Sequence, residues 1–68
     1  MKHFLFLETH SGEEFIVGED SLKEAKSIAL DICREIALNY CDNEHDFCCD
    51  YCGELTDDQA EMSGLDEY

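Results

Sequence analysis

The stretch Ser21–Tyr40, SLKEAKSIALDICREIALNY, decides the fold, because it is the one segment long and periodic enough to define an element unaided. Ser21 followed by Glu24 is a capping-box signature: the serine oxygen accepts from the Glu24 N–H, and the Glu24 carboxylate reaches back to the Ser21 N–H. A helix over 21–40 is predicted. Leu22, Ala25, Ala29, Ile32, Cys33, Ile36 and Tyr40 recur at steps of three and four and define its core face. Lys23, Glu24, Ser27, Asp31, Arg34 and Glu35 take the other side, with Leu38 among them as an exposed apolar residue.

Upstream of the helix, residues 2–9 (KHFLFLET) have the length and composition of a strand, His10–Glu13 supply turn chemistry, and residues 14–18 (EFIVG) form a second strand. Together they read as a hairpin. The first strand is apolar on both parities, Phe4 and Phe6 against Leu5 and Leu7, which suits a central strand. His3 and His10 are expected to face solvent. Downstream, Asp42–Asp46 is turn-prone and residues 47–55 are expected to form a third strand. Thr56-Asp57-Asp58-Gln59 caps a short helix over 57–63, closed by Gly64, and 64–68 is expected to be a loosely held acidic tail.

If the third strand pairs antiparallel beside the first, a right-handed crossover through the helix gives sheet order 2-1-3. The expected architecture is therefore a single α+β domain over 1–68: a three-stranded sheet, one long helix on one face and a short C-terminal helix. No linker, repeat or proline marks a second unit. A chain of 68 residues is too short for a second domain, and its core is small enough to benefit from a staple.

Charge is the strongest compositional signal. The net charge is −14, and it is uneven: residues 1–34 hold seven acids and all four bases, whereas 35–68 hold eleven acids and no base. Such a surface repels nucleic acid and anionic membranes and complements a basic protein surface or a cation. Direct nucleic-acid binding and membrane binding are therefore disfavoured. Phe4–Leu7 is a four-residue apolar run, too short for an export signal or a membrane span, so the expected location is cytoplasmic. In a reducing compartment the five cysteines would stay thiols or become metal thiolates.

The run Tyr51–Tyr68, YCGELTDDQAEMSGLDEY, behind a start of two strands and a helix, resembles small acidic proteins of bacteria and bacteriophages. In size, acidity and ββα outline the chain is also similar to bacteriophage anti-CRISPR inhibitors, a likeness of physical character carried by no residue motif. What the resemblance implies is a non-enzymatic inhibitor of mobile-element origin acting as a DNA mimic on a nucleic-acid-binding protein.

Taken with the charge, the expected function is an acidic interaction module. Glu44, Asp46, Asp50, Glu54, Asp57, Asp58, Glu61, Asp66 and Glu67 are the carboxylates expected to dock on the basic partner by electrostatic complementarity. A homodimer through the uncovered sheet face or edge is a second partner reading. The rival function is a zinc-stapled structural domain. Cys41, His45, Cys49 and Cys52 offer soft donors within twelve residues, although Cys49 and Cys52, the one short-spaced pair, fall inside a predicted strand. The plainer alternative leaves the thiols reduced, Cys33 and Cys49 in the core and Cys41, Cys48 and Cys52 nearer the surface.

Catalysis is disfavoured. A redox pair at Cys49 and Cys52 would need lowered thiol pKa values, yet Asp46, Asp50 and Glu54 push them upward. Serine-nucleophile motifs, phosphate-cradling glycine loops and calcium-loop spacing are missing from the sequence.

Overall fold

A computed structural model describes residues 1–9, 11–41 and 49–68, with the side chains of Tyr40 and Cys41 outside the description. The described elements are β1 (Lys2–Glu8), β2 (Glu13–Glu19), α1 (Leu22–Cys41), β3 (Cys49–Leu55) and α2 (Asp57–Ser63). The sheet order is β2-β1-β3 with both pairings antiparallel, so the two-sided apolarity of β1 does mark the central strand. Phe47 and Cys48, expected to open the third strand, lie outside the described residues.

The faces follow from parity. Phe4 and Phe6 point toward α1, opposite Val17 and Phe15 of β2, and all four are buried. Against them α1 presents Ala25, Ala29, Cys33 and Ala37, each with no exposure, flanked by the partly buried Leu22, Ile28, Ile32 and Ile36. Four small residues at i, i+4 spacing bring the helix axis close to the sheet and leave the volume between them to the rings of the strands. Phe6 stacks on Phe15 at a centroid distance of 5.9 Å and meets Tyr51 at 5.5 Å. Leu38 is exposed as expected, and so is Leu30.

At the start of α1 the Glu24 N–H donates to Ser21 Oγ at 3.3 Å. Glu19, beside Glu24, is held above the usual carboxylate range by burial first and by the neighbouring Glu24 carboxyl second. The cap of α2 is complete: Gln59 N–H donates to Thr56 Oγ1 at 3.2 Å and Thr56 N–H to Gln59 Oε1 at 3.0 Å. Gly64 closes this helix at φ 71.

Two features depart from expectation. First, β3 carries a bulge: Leu5 faces Gly53 and Phe6 faces Tyr51, so Cys52 is an extra residue, accommodated by φ 128 at Gly53. Second, the tail is bound. The Ile16 and Gly18 N–H groups donate to the Asp66 and Tyr68 carbonyls at 2.9 and 2.8 Å, and the Tyr68 N–H donates to the Ile16 carbonyl at 2.8 Å. Asp66–Tyr68 thus lies parallel to β2 along its outer edge, with Tyr68 edge-on to Phe15 at 5.8 Å. Unpaired edge amides and carbonyls of β2 are what an extended tail can satisfy.

Candidate functional site

Three side chains meet where α1 crosses the end of the sheet. Cys33 is fully buried on the helix, Cys49 opens β3, and Glu8 ends β1 directly opposite Cys49. The two thiols are neighbours, each a cause of the other's pKa shift. Burial pushes the Cys33 thiol far up, the neighbouring Cys49 adds to this, and the charges of Glu8 and Asp50 act in the same direction. Cys49 is raised as well, chiefly by burial. Glu8 has no exposure; its Oε1 accepts from the Ser11 N–H at 2.8 Å and its carbonyl from the Gly12 N–H at 2.9 Å, which ties the hairpin turn to the thiol pair.

This arrangement suits a structural cross-link and is unsuited to thiol catalysis. A nucleophilic cysteine needs a stabilised thiolate, whereas burial and acidic neighbours here favour the protonated form. Of the two arrangements weighed for the thiols, the plainer one, with Cys33 and Cys49 in the core and Cys52 nearer the surface, matches the described residues. Cys52 sits at the bulge, exposed, beside Asp50 and in the field of Glu14, while Cys49 faces Cys33. Among the described residues, no three His, Cys, Asp or Glu side chains are placed to hold a metal ion. Cys41 and His45, the other expected zinc ligands, fall outside the described side chains.

Beside the thiols, Phe6, Lys26, Leu30, Cys49, Asp50 and Tyr51 line an open cleft of about 280 Å³ between α1 and β3. The Lys26 ammonium lies 5.8 Å from the Tyr51 ring centroid, a cation–π contact across its mouth.

A second cluster lies on the other face of the sheet. His3, expected in solvent, is held between Asp57 and Glu67: its Nε2 is 2.6 Å from Asp57 Oδ1, and its Nδ1 contacts Glu67 Oε2. The hydrogen bond to Glu67, then that to Asp57, raises the His3 pKa above its ordinary value.

The carboxylates expected to form a docking surface are dispersed. Asp50, Glu54, Asp57, Asp58, Glu61, Asp66 and Glu67 are all exposed, whereas Glu44 and Asp46 lie outside the described residues. Asp50 pairs across from Leu7 and Glu54 across from Phe4, which puts them on opposite faces of the sheet. Asp57 and Glu67 are committed to His3.

Residues 26–51 match the defensin-like peptide family, a segment of fewer than half of the 68 residues that runs from the first turns of α1 into β3. No curated protein and no solved structure matches the chain. The matched segment holds Cys33, Cys41, Cys48 and Cys49, four of the five cysteines. This similarity overturns the resemblance to small acidic bacterial and bacteriophage proteins, and with it the anti-CRISPR-like, DNA-mimicking inhibitor and its zinc-stapled rival. The cytoplasmic placement is corrected too, since defensin-like peptides are typically secreted. The physical reason is that acidity and small size are shared by many unrelated folds, whereas a family match rests on the order of residues. The expectation of a non-enzymatic protein agrees with the match, because defensin-like peptides are not enzymes.

Glu8 and His3 were the residues whose roles sequence reasoning missed. Glu8 shares the parity of Phe4 and Phe6, and that alternation alone places it inward. The partners of His3 lie 54 and 64 positions away, and no local pattern announces them.

Proposed function

We propose that the protein is a secreted, non-enzymatic, defensin-like α+β module whose helix and third strand are joined by a Cys33–Cys49 disulfide. The observation that carries this reading is that the family-matched segment joins α1 to β3, and that its two described thiols are neighbours at the edge of the core. In an oxidising compartment oxidised glutathione accepts the two electrons and two protons released as the S–S bond forms, and becomes two molecules of reduced glutathione. A small core gains most from such a link.

The net charge of −14 then decides how a defensin-like role is exerted. An anionic bilayer repels this surface, so activity proceeds through a target of positive charge, a basic protein surface, and not through membrane lysis. The test is a growth-inhibition assay of glutathione-oxidised protein on bacterial cultures, paired with dye release from anionic lipid vesicles. Growth inhibition without dye release supports the reading. No inhibition by the oxidised form, or inhibition equal in the reduced form and in Cys33→Ala, refutes it. The basic target has its own check: its affinity must fall as ionic strength rises.

A further inference from the structure

The outer edge of β2 is covered by three residues of the chain's own C-terminal segment, held there by three backbone hydrogen bonds at Ile16 and Gly18. The side chain that anchors this segment is Glu67, and its partner is a histidine. Both nitrogens of His3 face carboxylate oxygens, Nδ1 to Glu67 and Nε2 to Asp57. An ionised carboxylate only accepts, so both contacts are satisfied together when the ring carries two protons and is an imidazolium. A neutral ring keeps one proton and turns one nitrogen lone pair toward a carboxylate, which repels it. The remaining neighbours of His3 in the sheet are Gly18 of β2 and Leu55 of β3, neither of them charged, and α1 packs on the opposite face. Asp57 from α2 and Glu67 from the tail are therefore the charged groups that face it, and both favour the protonated ring.

We propose that Asp66–Tyr68 is a pH-released strap: the His3 imidazolium, clamped between Asp57 and Glu67, holds the segment on β2, and deprotonation frees it and uncovers the β2 edge. The sign follows from linkage. A histidine whose pKa is higher in the closed form contributes its full stabilisation below the open-form value, and loses it as pH rises through the closed-form value. Each unit separating the two values is a tenfold change in the closed-to-open ratio.

The experiment is a titration of the full chain followed by NMR, reading the His3 ring protons for its midpoint and the Ile16 and Gly18 amides for protection, corrected for intrinsic exchange. The expected result is a midpoint above the ordinary histidine value of about 6.5, with protection at Ile16 and Gly18 falling tenfold or more through it while the β1 amides keep theirs. In Glu67→Gln and in Asp57→Asn the midpoint moves down. In His3→Gln the two amides are weakly protected at every pH and show no step. Protection that persists through the His3 midpoint, a midpoint at or below the ordinary value, or full protection in His3→Gln overturns the proposal.

Discussion

Oxidising the Cys33–Cys49 pair provides the sharpest quantitative check on the defensin-like reading. The perturbation is made in a variant carrying Cys41→Ser, Cys48→Ser and Cys52→Ser, so that the neighbouring pair is also the only pair left. The bond would close a loop of about 15 residues between α1 and β3, and removing that loop's entropy from the unfolded chain stabilises the fold by about 3 kcal/mol. A domain of this length has a total stability of roughly 3–10 kcal/mol, so the link matters. At about 4–8 °C per kcal/mol, the oxidised form should melt roughly 12–24 °C above the reduced form. Because both thiols are pushed upward by burial, the thiolate is scarce near neutrality, and bond formation should speed up by about tenfold per pH unit. The assay is a pair of circular-dichroism melts, with peptide mapping to confirm the bond and Cys33→Ala as the insensitive control. If the bond forms and the two melts coincide, or if no bond forms in oxidised glutathione at alkaline pH, the cross-link reasoning is wrong.

The other expectations concern the scaffold. Phe6→Ala removes a ring that is 1% exposed and should cost about 3–5 kcal/mol in chemical denaturation, whereas Leu38→Ala on the exposed side of α1 should stay within about 0.5 kcal/mol. Thr56→Ala removes the acceptor for the Gln59 amide and should cost about 1 kcal/mol; a change of a few tenths would show that the cap of α2 is not coupled to the sheet. Gly53→Ala meets no atom within 4 Å, so its cost, about 1–3 kcal/mol, should come from the backbone alone, and an unchanged denaturation midpoint would contradict the strained geometry at φ 128.

The helix and the sheet order were legible because they rest on periodicity, and periodicity is local. Ser21 and Glu24 announced the start of α1, and the double parity of Phe4–Leu7 announced a central strand. The core face predicted for α1 includes Ala25 and Ala29 but not Ala37, which is fully buried as well; what matters at that seam is smallness, which lets the helix approach the phenylalanines. The candidate sites were less legible. The core placement of Cys33 and Cys49 could be read from their positions on apolar faces, but that the two thiols are neighbours depends on α1 and β3 packing across each other, which no local spacing announces. Acidity, the loudest signal in the composition, says which surfaces are repelled but not how carboxylates are arranged. Two of them, at Asp57 and Glu67, turned out to be bound to His3.

The bulge at Cys52 has a bearing on how the length of this chain can vary. Elsewhere in a strand, losing one residue rotates every later side chain onto the wrong face. At Cys52 the opposite holds: its neighbours Tyr51 and Gly53 already face consecutive residues of β1, Phe6 and Leu5, so excising Cys52 would restore regular alternation and leave Tyr51, Glu54 and Leu55 on their present partners. β3 thus contains a locus where a single-codon deletion preserves the ladder, and that deletion would leave the chain with an even number of cysteines.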